Sequence, residues 1–479
     1  MTIRDGVIAV LAPAGEAPRT GEVRDFEGRW VGPGLWDSHV HFTQQVIRRM
    51  RVDLDGCAGP QEALDRMRTA REIGAPFLGG LLVGYGFRDA LWSSPTTLAA
   101  FDAAVPDVPA VMISGDLHCG WMNTAAAARL GVDIDSSGLL REAPMVAALG
   151  VIDGNIELPV SAFQEAAKAG AARGLVGVVD FENADNVAQW PARTAEGFDA
   201  LRVEVAAWPD RLDDVIARGI RTGDIVDDAG LVTFGRLKVV ADGSLNTRTA
   251  WCWDPYPGTD SADVEAYGLP GVTPGGLRVL LSRAHEAGIE AAVHAIGDRT
   301  NTEALDAFAD LGIGGVIEHA QLVRDQDLAR FGALGVTASI QPEHAMDDRD
   351  IADHVWAGRS DRAFAFGALH RAGARLRLGS DAPVAPLDPW MSIAAAVFRT
   401  RDGREPWHPE LCLPLDVALA SSSRTTLAVG QPADLVVTDR DPYTCGPDEL
   451  RAMGVAATFV GGRCTWSSDV EASSSGTAA

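Results

Sequence analysis

The sequence predicts an α/β chain built on a (β/α)8 barrel, with a small β-sandwich-like domain assembled from both termini and an insertion after the first barrel strand. From Ala171 onward, apolar strand-like runs alternate with helical stretches, the pattern of a parallel sheet whose strands are joined by helices. Counting an opening strand within Val31 to Phe42, the runs number about eight, the count at which such a sheet closes. No glycine fingerprint of the dinucleotide-binding kind follows a first strand, which lowers the alternative of an open, doubly wound sheet.

Taken in order, residues 1–30 are turn-rich with one strand-like run, Gly6 to Ala12. They are expected to pair with DLVVT at Asp434 to Thr438 and AATFV at Ala456 to Val460, so the small β domain is 1–30 plus 415–466. The barrel domain is 31–414, and 48–149 within it reads as an insertion over the barrel mouth. That insertion carries helical patterns at Gln61 to Ile73, Leu98 to Ala104 and Ala125 to Leu130, and a strand at Pro109 to Ser114. Barrel strands then follow at Leu175 to Phe181, Leu201 to Ala207, Arg236 to Ala241, Glu290 to Ala295, Gly315 to His319, Val336 to Gln341 and Arg375 to Gly379. The Ser/Ala/Gly-rich end, 467–479, is expected to be a disordered tail.

Bulk properties exclude several partners. The chain has 479 residues, 47% of them hydrophobic and 22% charged, which suits a large buried core. A formal net charge of −25 argues against nucleic acid, because such binding needs clustered Lys and Arg. There is no basic, aromatic-interleaved stripe for a membrane surface, and no apolar run of the roughly 18 residues a span requires. Asp5 spoils the positive flank of a signal peptide. The six cysteines form no Cys-x-x-Cys pair and read as reduced thiols of a cytoplasmic protein. The expected partner is a small-molecule substrate, and a homo-oligomer is left open.

The chemistry starts at VGPGLWDSHVHF. On a strand, residues two apart share a face, so His39 and His41 project together and can grip one divalent ion. Lys238 lies within the fourth strand, His294 ends the fifth, His319 ends the sixth and Asp381 follows the eighth. Active sites of such barrels lie at the C-terminal ends of the strands. Taken singly, each residue has an ordinary reading: Lys238 pairing with Asp242, Asp381 capping the turn before Pro383, a histidine satisfied by its surroundings. One site for one or two divalent metal ions explains all six together.

The blocks DSHVHF, LKVVADGS, HAIGDR, EHAQ and LGSDAPV, with DLHCGWMN and VGQPADLVVTDRDP, resemble the signature blocks of the metal-dependent amidohydrolase superfamily. More narrowly they resemble its subgroup that includes N-substituted formamide deformylases. The resemblance implies that His39 and His41 bind the more buried metal, that Asp381 contacts it and acts on water as general base and then acid, and that His294 and His319 bind a second position. It implies a carboxylated Lys238 bridging two metals, with zinc the first choice. The implied activity is hydrolysis of a C–N bond in an amide, formamide or cyclic amide of a small molecule. Ester or lactone hydrolysis, deamination and a non-catalytic metal-binding sensor are the alternatives.

Substrate contacts are expected from Arg299 and Arg248, whose guanidinium groups suit a carboxylate or carbonyl. Asp116 and His118 in the insertion, and Gln341 with His344 after the seventh strand, are further candidates. Trp36, Trp121 and Phe42 are expected as apolar walls. His285, His354, His370 and His408 are expected to bind no metal.

Overall fold

The structure, a computed structural model, describes residues 1–13, 16, 21–88, 92–115, 119–141, 143–154 and 156–468. Its centre is a parallel eight-stranded sheet, β1 (Leu35–Val40), β2 (Leu175–Asp180), β3 (Arg202–Ala207), β4 (Val232–Val240), β5 (Glu290–Ala295), β6 (Gly315–His319), β7 (Val336–Ile340) and β8 (Arg375–Leu378). Each strand lies beside its sequence neighbour, joined by helices, as right-handed crossovers require. The sheet closes into a barrel: Asp381 N donates to His39 O and His41 N donates to Ala382 O, both at 2.8 Å. Strands covered on both faces read as continuous apolar runs, and LVGVVD of β2 is buried throughout.

The helices carry their own punctuation. Thr273 caps Pro274–Glu286 by accepting from Gly276 N, with Pro274 at the first helical position. Gly312 ends Asp298–Leu311 at φ 64°, a left-handed cap that costs glycine little.

Both chain ends meet in a four-stranded antiparallel sheet of Trp30–Pro33, Leu435–Thr438, Val455–Val460 and Arg463–Ser467. Val31 pairs with Val437, and Leu435, Val437, Ala457 and Phe459 form its core with Ile8. Thr2–Arg4 and Val7–Val10 form a separate hairpin, tied on where Ile8 N donates to Gln431 O at 2.9 Å. Two boundaries differ from those expected. Residues 31–33 belong to this sheet, and the barrel begins at Leu35, because Gly34 N donates to Asp434 O while Leu35 N already donates to Gly174 O beside β2. Leu415–Ser421 is a helix against β8, so the sheet takes its C-terminal strands only from Leu435 onward.

Thr43–Phe163 is a separate compact unit, wider than 48–149. It has a five-stranded sheet of Val52–Asp53, Leu82–Phe87, Ala110–Ser114, Cys119–Met122 and Leu139–Arg141, with apolar clusters around it. Asn123 locks it, accepting from Ala110 N and Ala126 N while donating to Val105 O and Val108 O. Asp116 and His118 lie outside the described residues, as does 469–479 of the expected tail. Ser467 ends the last strand.

The aromatic walls expected from sequence are core instead. Trp121 is fully buried among Leu54, Phe101 and Met112, Phe42 packs edge-on against Trp190 with centroids 5.5 Å apart, and Trp36 lies under the Arg424 guanidinium at 3.9 Å near the start of β1. No helix among the described residues is long and apolar enough to cross a membrane.

Candidate metal centre

The site is assembled at the barrel's closing seam. Asp37, buried in β1, accepts from His39 N at 3.1 Å and from Ser380 N at 2.9 Å, which ties the end of β1 to the residues after β8. Two residues on, His39 and His41 bring Nε2 to 3.5 and 3.4 Å from Asp381 Oδ1. Tetrahedral ligands on zinc bonds of about 2.1 Å stand about 3.4 Å apart. The spacing of these donors therefore suits one divalent ion. A second set shares the same carboxylate: His319, His344 and Asp381 offer ligand atoms that all lie within 4.8 Å of one another.

Lys238 Nζ lies 3.3 Å from His39 Nε2 and 4.3 Å from the Phe181 ring centroid, and does not pair with Asp242. Asp242 is occupied by backbone, accepting from Ile296 N, Gly297 N and Trp251 N at 3.0, 2.8 and 2.9 Å. Its role is to hold the exit of β5 against the loop after β4. His294 stacks edge-on against His319, centroids 4.3 Å apart, and its Nε2 is 3.3 Å from Gly243 O.

Sequence reasoning missed Glu318. Its Oε2 lies 2.7 Å from His39 Nδ1, and both side chains are almost wholly buried. A carboxylate accepting the Nδ1 proton leaves the Nε2 lone pair facing Asp381 and Lys238, the arrangement that orients a histidine ligand. Neighbours on a regular strand face opposite ways, yet Glu318 and His319 both reach His39, whose ring centroid is 5.0 Å from that of His319. The break is in the backbone: His319 and Ala320 have φ of 73° and 44°, and Asp381 has 61°. Left-handed non-glycine residues cost of order 1–3 kcal/mol each and gather at functional sites. The signal available in sequence was an acid inside the otherwise apolar run GVIEH.

The electrostatics sort the residues by role. Burial holds the imidazoles of His39, His294 and His319 below their usual range, assisted by Lys238 or a neighbouring histidine, and His294 falls to about 3. Neutral imidazole is the ligating form. Burial also lowers the Lys238 ammonium, against the pull of Glu318 and Asp381. For Asp381 burial pushes upward, but His39 and the hydrogen bonds from His344 and His41 outweigh it, leaving the carboxyl well below its ordinary value. His41 and His344 are raised: burial opposes this, and Asp381 overcomes it. The buried His319 Nδ1 has no hydrogen-bond partner, nor has Gln341 Oε1, and an imidazole nitrogen so left is in the condition expected of a donor awaiting a ligand. The donor set, its spacing and this orphan fit a divalent metal.

Of the residues expected from sequence, His39, His41, Lys238, His294, His319 and Asp381 come together. Gln341 and His344 join them, Gln341 Nε2 at 3.4 Å from His39 Nδ1 and His344 Nε2 at 3.2 Å from Asp381 Oδ2. Arg248 does not: it is exposed on a turn at φ 57°. Arg299 stands apart, stacked between Trp251 and Trp253.

Known proteins resemble this chain along nearly its whole length. Protein LONG AFTER FAR-RED 3 of Arabidopsis thaliana is 27% identical over 533 aligned residues, covering 97% of this chain and 87% of its own length. The N-substituted formamide deformylase of Arthrobacter pascens is 24% identical, covering 94% and 90%. A solved metal-dependent hydrolase of Pyrococcus horikoshii superposes with a TM-score of 0.75 at 26% identity, over 89% of both chains. This chain is a metal-dependent hydrolase and belongs to the amidohydrolase family, whose model matches residues 22–466.

Proposed function

We propose that this hydrolase cleaves a C–N bond, in an amide, formamide or cyclic amide of a small molecule, with Asp381 as general base and then general acid. The observation that carries the reading is the Asp381 carboxylate, held ionised between His41 and His39 on one oxygen and His344 on the other. One or two divalent ions, zinc first, held by His39 and His41 with Asp381 and by His294 and His319, would supply Lewis-acid polarisation of the carbonyl and a more acidic water.

Asp381 accepts a proton from the attacking water and returns it to the leaving nitrogen. His344 fixes the second oxygen of Asp381, so the carboxylate keeps one orientation through both transfers. Glu318 holds the His39 ring with Nε2 inward. Lys238, buried and with its ammonium disfavoured, supports uptake of carbon dioxide at Nζ. The resulting carbamate would replace a cation that repels divalent ions with an anion that attracts them. Likeness to an N-substituted formamide deformylase supports the choice of C–N bond. A cytoplasmic setting is part of the proposal, supported by six free thiols.

The test is metal analysis with a matched series of amide, ester and aminopurine substrates, before and after chelation. The expected outcome is stoichiometric metal, loss of amide hydrolysis on chelation and its return on adding zinc. Sub-stoichiometric metal with hydrolysis indifferent to chelation sinks the reading; ester cleavage alone replaces the bond, and deamination alone replaces the amide.

A further inference from the structure

Beside the metal centre the structure carries a second cluster that the mechanism does not use. The loop after β4 folds onto the start of helix Asp298–Leu311, where Trp253 N donates to Asp298 Oδ1 at 3.0 Å and Arg299 N donates to Trp251 O at 3.2 Å. A side chain at Gly297 would strike the Trp251 backbone, so glycine is what allows the approach. The Arg299 guanidinium then lies 4.1 Å from the Trp251 ring centroid and 4.7 Å from that of Trp253, and Arg324 stands over Trp253 at 5.6 Å.

Indole faces attract guanidinium groups and hold them flat. Two such cations are fixed here without an ion-pair partner among the described residues, and Arg299 Nε is buried with no hydrogen bond. Arg299 and Trp251 border a cavity of about 350 Å³, completed by Asp263, Val264, Tyr267 and Pro270, with the Asp263 carboxylate turned to its own backbone, where it accepts from Glu265 N at 3.0 Å. That volume lies in the range of small-molecule sites, about 300–1,000 Å³. One of the cavity's walls is tied to the metal centre: Asp242 takes the Trp251 N–H on Oδ2, while its Oδ1 lies 3.7 Å from His294 Nε2.

We propose that this cavity is the subsite for a carboxylate carried by the substrate, with Arg299 as the group that reads it and Trp251 and Tyr267 packing its apolar body. The proposal rests on the hydrolase reading above and narrows its substrates to amides bearing a free carboxylate away from the scissile bond. A planar guanidinium pairs with a carboxylate through two parallel hydrogen bonds, and a neutral amide of the same shape cannot reproduce them. In a chain of net charge −25, Arg299 at the cavity, without an ion-pair partner among the described residues and sharing the Trp253 ring with Arg324, is the feature that would draw an anion in.

The probes are phenylacetate and its neutral, non-hydrolysable isostere phenylacetone, titrated calorimetrically into the metal-loaded enzyme. Wild type should bind phenylacetate at least ~10-fold more tightly than the ketone, the discrimination a charge-assisted pair supplies. Arg299→Gln should abolish that preference with metal content and melting temperature unchanged, and Arg299→Lys should restore part of it. Val264→Trp, which fills the cavity and leaves the charge in place, should weaken both probes. Equal affinities in wild type, no binding of either probe, or a preference that survives Arg299→Gln would each overturn the proposal. Neither probe is hydrolysed to give the signal, so preferential binding alongside absent C–N hydrolysis would strike the proposed reaction and leave the subsite standing.

Discussion

The two ends of the barrel bury charge in opposite ways. At the N-terminal end, Glu204 of β3 sits among Arg236, Arg424 and Arg377, with Arg236 Nη1 at 2.5 Å and Arg424 in direct contact. Arg236 also reaches Glu290, and Arg424 lies on the Trp36 ring. Burial alone would raise the Glu204 carboxyl, but Arg424 and Arg236 outweigh it and hold it below the ordinary value. At the C-terminal end, the imidazoles of His39, His41, His294, His319 and His344, the Lys238 amine and the carboxylates of Asp381 and Glu318 converge, with an orphan nitrogen and left-handed backbone at His319 and Asp381. Buried charges that satisfy one another serve stability; buried groups that converge with valence unspent mark a site. The same fold supplies both, and its strand direction decides which end does which.

That contrast can be broken from either side. Asp381→Asn should leave the metal bound and the melting temperature close to wild type while turnover falls about 10²–10⁴-fold, the usual share of a general base; steady-state kinetics with metal analysis decides this, and an unchanged rate removes Asp381 from the mechanism. Glu204→Gln should do the reverse, costing about 3 kcal/mol by leaving two arginines facing a neutral amide, with the rate per folded molecule kept. A denaturant melt at neutral pH beside the rate assay reads both quantities.

Glu318→Gln should weaken metal affinity about 10–100-fold, the common effect of removing the carboxylate behind a histidine ligand. Competition against a chelator measures it, and an affinity equal to wild type would reduce Glu318 to packing. Lys238→Ala should lose metal and activity and recover part of each with added short carboxylates; wild-type activity in that variant would rule out the carbamate. The smallest effect concerns acid. Because the folded value of Glu204 is depressed, its stabilising contribution is fully present above the ordinary glutamate value of 4.5 and fades as pH falls through the folded value. Stability measured from pH 5 downward should therefore fall more steeply in wild type than in Glu204→Gln, and parallel curves would show that the ion cluster does not govern acid stability.

Much of the fold was legible because it rests on local period. Apolar runs of strand length alternating with helical patterns specify a parallel sheet wherever they occur, and the eight barrel strands were readable to within a few residues, β4 starting four residues early. The candidate site was legible to the extent that its residues sit in or just after those strands. Glu318 escaped because strand alternation points it away from His319, and only the left-handed turn at His319 reverses that. Trp36, Trp121 and Phe42 were misplaced as pocket walls because aromatic residues suit a core and a pocket equally, and nothing local says which side of a sheet another segment will cover.

What the sequence by itself determined was the order of strands and helices, the reaction class its blocks resemble and the spacing that sets His39 beside His41. What only the tertiary structure decided was which charges meet. Ser380 and Asp37 are 343 residues apart in the chain and join at the seam where the barrel closes, and that closure brings Asp381 to His39. Pairings of that kind depend on the register of distant strands, which is set by packing over the whole barrel and leaves no periodic trace in the chain.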